Sequence, residues 1–183
     1  MGTAIVLITH DLGVVAESAD EGTDTVDTSL ASFSLAAMAN VENLTYTGTA
    51  GFTGTGNDVD NSLSGGSGND FLSGAGGNDR IVSNGGNDTL AGGAGEDTAV
   101  LTDIPDHYSF RRLDAAGTQV RATDGAQVLR LAAVENVVFA DGSSSLMTGL
   151  LANTPSDFDD VYVGSAVQHG FDGGLGNDSI TAG

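Results

Sequence analysis

Four aspartates recur at intervals of nine residues in the middle of the chain, and each precedes an apolar residue by two positions. The aspartates are Asp70, Asp79, Asp88 and Asp97, and the apolar residues are Leu72, Ile81, Leu90 and Ala99. Aspartate supplies a charged oxygen on a short side chain, and the glycines before each one let backbone carbonyls approach an ion. These residue types at this spacing favour the binding of a hard cation such as calcium by loops.

The segment divides into four nonapeptides with the pattern G-G-x-G-x-D-x-U-x, where U is apolar: 65–73, 74–82, 83–91 and 92–100. This pattern is typical of calcium-binding solenoids. Positions 7 to 9 form a short strand, so position 8 points inward and its neighbours point outward. If two nonapeptides complete one coil, residues eighteen apart stack. Asp70 then lies over Asp88 and Asp79 over Asp97, each pair facing one ion.

The same nine-residue frame extends in both directions. Towards the N-terminus it places Leu63 at the apolar position and Asn61 where aspartate is expected, while Asp58 and Asp60 fall outside the frame. Near the C-terminus the frame recurs, with two sets of residues spaced by nine. They are Asp160, His169 and Asp178 at the acidic position, and Tyr162, Phe171 and Ile180 at the apolar position.

Residues 56–100 and 155–183 resemble the RTX (repeats-in-toxin, hemolysin-type) family of secreted bacterial proteins. The resemblance implies an all-β fold, a right-handed parallel β-roll with a β-rich capping segment, in which six residues turn around an ion and three form a strand. The metal ligands that we expect, with Ca²⁺ as the cofactor, are Gly65, Gly66, Gly68, Asp70, Gly74, Gly77, Asp79, Gly86, Asp88, Gly92, Gly93, Gly95, Asp97, Asp160, Gly173, Gly174, Gly176 and Asp178.

The flanking segments are less specific, but they suggest further β-structure. A V-E-N sequence followed by an apolar residue occurs at 41–44 and again at 134–137, which suggests a reused junction where a new β-element begins. We expect the following organisation: an N-terminal extension of uncertain origin (1–20), a β-solenoid lead-in (21–55), the nonapeptide β-roll (56–100), a β-rich cap (101–150) and the start of a second, truncated array (151–183).

The composition restricts the partners of the chain. Acidic residues number 25 against 5 basic ones, which gives a formal net charge of −20 and opposes binding to nucleic acid or anionic lipid. No apolar run is long enough to predict a membrane span. The N-terminus lacks the features of a secretory signal peptide, so export would need another route. Calcium ions are the expected partners, and the oligomeric state is left open.

Residues 2–20 resemble the switch-histidine segment of ABC transporter ATPases, with His10 at the switch position. An ATPase of that type requires a P-loop lysine, and the chain contains no lysine. The LSGGS sequence at 63–67 falls within the nonapeptide frame, and we assign it to the repeats. Because His10, His107 and His169 are far apart and no other catalytic motif is present, we expect no enzymatic activity.

The sequence thus predicts a calcium-binding structural module of a secreted bacterial RTX protein. By resemblance, a type I secretion machinery would export the unfolded chain, and extracellular calcium would fold it. Two alternatives are a non-catalytic fragment of a larger RTX enzyme (protease, lipase or epimerase) and a fragment of an RTX adhesin. A flexible glycine-rich linker is disfavoured, because linkers need no nine-residue frame with an apolar eighth position.

Overall fold

The structure, a computed structural model, describes residues 5–8, 22–104, 107–112, 119–123, 127–146, 160–163 and 179–181. Its strands form two sheets. Sheet A contains, in spatial order, β1 (Ile5–Ile8), β2 (Thr25–Thr28), β4 (Asn43–Tyr46), β6 (Ser62–Ser64), β8 (Arg80–Val82), β10 (Thr98–Val100), β14 (Asn136–Val138) and β15 (Ser144–Leu146). Sheet B contains β17 (Ser179–Thr181), β16 (Asp160–Val163), β11 (Ser109–Arg112), β12 (Gln119–Thr123), β13 (Val128–Ala132), β9 (Thr89–Ala94), β7 (Phe71–Gly76), β5 (Thr53–Thr55) and β3 (Ser32–Ser34).

Successive nonapeptides contribute strands to opposite sheets. Strands β6, β8 and β10 pair in parallel within sheet A, and β7 pairs in parallel with β9 in sheet B. In both sheets the paired residues are eighteen apart, as with Leu63 and Ile81 or Leu72 and Leu90. Two nonapeptides therefore make one coil, and the expected all-β, parallel β-roll architecture is confirmed.

The core is a narrow column of side chains between the two sheets. The apolar residue at position 8 is fully buried in every nonapeptide, and its two neighbours in each strand are more exposed, as alternation along a strand requires. Leu72 and Leu90 stack within sheet B, and Leu63, Ile81 and Ala99 stack within sheet A. One buried apolar residue per nonapeptide contributes little hydrophobic stabilisation to the turn segments, so the turns must be stabilised by other contacts.

The coils continue on the N-terminal side of the repeats. Strands β2 and β4 pair with an eighteen-residue offset, and β4 and β6 with a nineteen-residue offset, so that Val26, Leu44 and Leu63 lie in one row. At this end Tyr46 stacks on Phe52, with ring centroids 4.6 Å apart and planes 2° from parallel. Both rings are buried, so the pair extends the core at this end of the roll.

One more coil follows the last nonapeptide after an antiparallel excursion through β11 and β12. Strand β13 pairs in parallel with β9 and strand β14 pairs in parallel with β10, so residues 128–138 lie on the roll as its next coil. Tyr108, Phe110 and Phe139 cluster over this end, with ring centroids 6.0–6.2 Å apart. All three rings are buried, and they continue the core beyond Ala99.

Several expectations fall on residues that the structure does not describe. His10 lies outside the described residues, as do His169, Gly173, Gly174, Gly176 and Asp178. For the C-terminal segment, the backbone shows β16 and β17 paired in parallel with an eighteen-residue offset, which is the register of the repeats. Asp160 begins β16, and its side chain is not described. Within the described parts of the chain, no helix is long and apolar enough to cross a membrane.

Candidate metal centre

Positions 1 to 6 of each nonapeptide turn the chain from one sheet to the other, and the turns collect along two edges of the roll. We call the edge formed by 65–70 and 83–88 edge one, and the edge formed by 56–61, 74–79, 92–97 and 133–135 edge two. Each edge stacks turns that are related by one coil, so residues at the same position of the repeat lie next to one another.

The aspartates at position 6 link neighbouring coils through hydrogen bonds with the backbone. The Asp70 N–H donates to Oδ1 of Asp88, and the Asp79 N–H donates to Oδ1 of Asp97, both at 2.8 Å. The Phe52 and Asn61 N–H groups donate in the same way to Oδ1 of Asp70 and Asp79. The structure thus shows the stacking of Asp70 with Asp88 and of Asp79 with Asp97 that the sequence predicts.

The second carboxylate oxygen of most of these aspartates is buried without a hydrogen-bond partner. This holds for Oδ2 of Asp79, Asp88 and Asp97, whose residues are at most 2% exposed. Asp70 differs, because its Oδ2 accepts a hydrogen bond from the Gly66 N–H at 2.8 Å. A buried carboxylate oxygen with no donor is unfavourable unless a cation or a proton meets it.

Glycine at position 1 lets the unpartnered carboxylate oxygens on edge two lie close against the backbone. A Cβ added at Gly74 would overlap Oδ2 of Asp79 and lie 2.6 Å from the carbonyl oxygen of Gly92 in the next coil. A Cβ added at Gly92 would overlap Oδ2 of Asp97 and the carbonyl oxygen of Ala133. We call this side of each position-1 Cα, where the oxygens converge, a glycine cradle. Each of these two cradles is approached by a carboxylate oxygen and a carbonyl oxygen, the ligand types that calcium prefers.

Glycine at position 4 permits the close stacking of neighbouring coils. A Cβ at Gly86 would overlap the carbonyl oxygen of Gly68, and a Cβ at Gly95 would overlap that of Gly77. Both Gly86 and Gly95 also have positive φ angles, of 96° and 141°. These glycines are therefore required by the close approach of neighbouring coils as well as by the backbone conformation.

Burial raises the pKa of the position-6 carboxyl groups in the metal-free protein. The pKa of Asp79 is raised to about 6, chiefly by burial, with further contributions from the charges of Asp97 and Asp60. Burial likewise raises the pKa of Asp88 to about 7, and the neighbouring Asp70 charge adds to this. The pKa values of Asp70 and Asp97 are also raised by burial. Without a cation, ionisation of these buried carboxyl groups therefore destabilises the folded turns.

The two edges differ in the residue at position 1 and in the hydrogen bonds of their turns. On edge one, Ser83 stands at position 1 in place of glycine, is fully buried, and has an unpartnered Oγ. In addition, Asn84 donates from its side chain to the Gly65 carbonyl oxygen at 2.9 Å. On edge two, Asn61 takes the aspartate position, and its Oδ1 accepts the Asn57 N–H at 2.8 Å. Among the described turns, those of Asp79 and Asp97 therefore combine a position-1 glycine with an unpartnered carboxylate oxygen.

Asparagine at position 5 links the coils in the direction opposite to aspartate, which the sequence analysis did not predict. The Asn87 N–H donates to Oδ1 of Asn69, and the Glu96 N–H donates to Oδ1 of Asn78. Asp60, although outside the aspartate frame, occupies this position and accepts the Asn78 N–H at 2.7 Å. In the sequence, an asparagine directly precedes the aspartate in three of the four nonapeptides. This recurrence could have predicted the second row of contacts.

Glutamate extends the row of carboxylates into coils that lack the nonapeptide pattern, which the sequence analysis also missed. The Asp24 N–H donates to Oε2 of Glu42, and the Asp97 N–H donates to Oε2 of Glu135, both at 2.8 Å. Both glutamates belong to the V-E-N sequences, and Asn43 and Asn136 begin the strands that follow. V-E-N therefore marks a coil in which glutamate takes the place of the position-6 aspartate.

Side chains alone do not form a metal site in the described turns. Among the described residues, no group of three or more His, Cys, Asp or Glu side chains is placed to hold a metal ion. A cation on either edge would therefore draw many of its ligands from backbone carbonyls, an arrangement that suits calcium with its six to eight oxygen ligands. The orphaned carboxylate oxygens and the glycine cradles fit such an ion.

A parallel β-roll with aspartates and glycines repeating in its turns defines a calcium-binding solenoid. The family described as RTX calcium-binding nonapeptide repeat (4 copies) matches residues 52–90 and 64–99. The chain therefore carries RTX repeats, whose cofactor is Ca²⁺. No curated protein matches the chain. An RTX solenoid is a structural calcium-binding module and is not itself catalytic.

Proposed function

We propose that the described roll binds calcium in its turns and folds stably only when calcium is bound. The observation that carries this proposal is the buried, unpartnered Oδ2 of Asp79, Asp88 and Asp97. The proposed ligands on edge two are Oδ2 of Asp79 and the Gly92 carbonyl, with the Asp97 carboxylate adjacent. The stacked pair Asp70 and Asp88 provides the corresponding carboxylates on edge one.

The chain's own residues explain why binding and folding are linked. In the unfolded chain the aspartates are separate and hydrated, whereas in the coil Asp70 stacks on Asp88 and Asp79 stacks on Asp97, out of water. Bound calcium supplies positive charge to these carboxylates and a partner for carbonyls that face the turn interior. Because the donor set forms only in the folded coil, the free energy of binding contributes directly to folding.

The remaining proposed ligands are assigned by their repeat positions. Along the two edges, they are the glycines Gly65, Gly66, Gly68, Gly74, Gly77, Gly86, Gly93 and Gly95. By the same frame we propose the second array at 151–183, with Asp160, Gly173, Gly174, Gly176 and Asp178 as ligands, and we retain the boundaries 1–20, 21–55, 56–100 and 101–150 for the other parts.

We also propose that the chain works outside the cell, as a structural part of a secreted protein. Calcium is scarce in the cytosol and abundant outside cells, so weak turn sites would stay empty during export and fill afterwards. The RTX repeats and the net charge of −20 support this route, and type I secretion is the machinery that the family resemblance implies. In this proposal the chain contributes calcium-dependent structure instead of catalysis.

Far-ultraviolet circular dichroism tests the link between calcium and folding. We expect the β-structure signal to be much weaker in a calcium chelator than in millimolar calcium, with a midpoint in the range of about 0.1 to 1 mM. Magnesium at equal concentration should restore little of the signal, because it prefers smaller octahedral sites and retains its waters. A spectrum that is fully β-structured in chelator and unchanged by calcium would refute the proposal.

A further inference from the structure

We propose an additional calcium site at the junction between the last nonapeptide and residues 133–135, which lie outside the segment that matches the RTX family. Its ligands are Oδ2 of Asp97, the backbone carbonyl oxygen of Ala133 and the carboxylate of Glu135. This inference rests on the proposed function, because it extends calcium binding from the repeats into the coil that follows them.

The primary evidence is the free oxygen of Asp97. Asp97 is fully buried, and its Oδ1 accepts the Asp79 N–H at 2.8 Å. Its Oδ2 has no partner and faces the glycine cradle of Gly92. Since the Ala133 carbonyl oxygen approaches the same cradle, the arrangement repeats the one at Gly74, where Oδ2 of Asp79 and the Gly92 carbonyl meet.

The following coil is held where it can supply the other two metal ligands, the Ala133 carbonyl and the Glu135 carboxylate. Strand β14 pairs with β10 so that Asn136 lies beside Thr98, which brings Glu135 alongside Asp97. The Asp97 N–H donates to Oε2 of Glu135 at 2.8 Å, and the Glu135 N–H donates to the Asp97 carbonyl at 3.1 Å. Ala133 has a φ of 47°, an uncommon conformation for alanine, in the turn that presents its carbonyl to Gly92.

The other V-E-N sequence provides a comparison within the same molecule. Glu42 accepts the Asp24 N–H at 2.8 Å, as Glu135 accepts that of Asp97. However, no buried unpartnered oxygen of Asp24 is found among the described atoms, and Asp24 makes further interactions. Glu42 and Glu135 therefore both link neighbouring coils. In our proposal only Glu135 also takes part in a cation site, because it lies beside the unpartnered oxygen of Asp97.

The site has a consequence for the terminal coil. Residues 128–138 reach the roll after a long excursion of the chain, and they carry no nonapeptide pattern of their own. A calcium ion held jointly by Asp97, Ala133 and Glu135 ties this coil to the repeats. Folding of the roll and docking of the coil then depend on the same ion.

The test compares Glu135→Gln with Glu42→Gln, each beside the parent chain. Both substitutions remove one negative charge and keep an oxygen that accepts the neighbouring N–H. By native mass spectrometry at a calcium concentration that saturates the parent, Glu135→Gln should bind one ion fewer, whereas Glu42→Gln should bind the parental number. Glu135→Asp keeps the negative charge and introduces the residue type of the repeats. This variant should bind the same number of ions as the parent.

The outcomes separate this site from the proposed function. A parental ion count in Glu135→Gln, or an equal loss in Glu42→Gln, overturns the junction site while calcium binding by the repeats still stands. A parent chain that binds no calcium overturns both proposals. If Glu135→Gln does not fold in calcium by circular dichroism, anomalous scattering from parent crystals decides: a calcium peak beside Oδ2 of Asp97 and the Ala133 carbonyl supports the site, and its absence overturns it.

Discussion

Substitution of Asp79 by asparagine should have opposite effects with and without calcium. The amide retains an oxygen that accepts the Asn61 N–H, and Asn61 itself shows that an asparagine fits the corresponding position one coil earlier. The substitution therefore removes the charge and leaves most of the packing unchanged. Asp79 is 2% exposed, so solvent does little to offset the change.

The expected change in the free energy of unfolding follows from the raised pKa of Asp79. The pKa of Asp79 is raised from 3.8 to about 6, chiefly by burial. A difference of about two units corresponds to about 3 kcal/mol of unfavourable free energy for the ionised form in the metal-free fold. In chelator, Asp79→Asn should thus raise the free energy of unfolding by up to about 3 kcal/mol. In calcium it should lower affinity at least about tenfold, which is about 1.4 kcal/mol, because a charged ligand is lost.

The matched control is Asp58→Asn, since Asp58 is exposed and has the same charge. Isothermal titration calorimetry gives the calcium affinity, and the far-ultraviolet circular dichroism signal in chelator reports how much of the metal-free chain is folded. We expect Asp58→Asn to change both quantities little. Equal loss of calcium affinity in the two variants would show a general charge effect and would refute the assignment of Asp79 as a ligand.

Three further predictions concern pH, Ser83 and the core. Because the folded pKa values of Asp79 and Asp88 (about 6 and 7) exceed the unfolded value of 3.8, the metal-free fold binds more protons than the unfolded chain between about pH 4 and 7. The β-structure signal in chelator should therefore fall as pH rises from 5 to 8, and a signal that rises would contradict the burial of these groups. Ser83→Gly removes a Cβ and an unpartnered hydroxyl that are buried at position 1. It should therefore strengthen calcium binding on edge one by about 1 kcal/mol in calorimetry. Unchanged or weaker binding would contradict the role assigned to position 1. Leu72→Ala should lower the unfolding free energy in calcium by about 2 to 5 kcal/mol, whereas Phe71→Ala, at a side chain 46% exposed, should cost less than about 1 kcal/mol. Similar losses in these two variants would mean that the inward and outward faces are assigned wrongly.

The nine-residue frame allowed the coil, its register and its inward residues to be predicted from sequence. Neighbouring residues of a strand point to opposite faces, so the regularly apolar position 8 identified Leu72 and Ile81 as inward and their neighbours Phe71 and Val82 as outward. The eighteen-residue stacking followed from placing two such strands in each coil. The aspartates could be placed in the turns for the same reason, because position 6 directly precedes the strand.

The contacts that sequence reasoning missed depend on residues outside the defining pattern. Position 5 is variable in the pattern, so the row of Asn69, Asn78 and Asn87 contacts was not predicted. Glu135 is 38 residues from Asp97, and no period in the sequence relates the two. The pairing of β13 with β9 and of β14 with β10 depends on tertiary packing after the excursion through β11 and β12, which local patterns do not encode.

The central claim is that calcium sits in the turns beside the buried position-6 aspartates. Anomalous scattering from crystals grown in calcium tests this claim most directly, because it locates the ion independently of any effect on stability. The account predicts a calcium peak within about 2.3–2.6 Å of Oδ2 of Asp79 and of the Gly92 carbonyl oxygen. Well-ordered turns with no anomalous peak at that position, or peaks confined to exposed carboxylates such as Asp58, would contradict it.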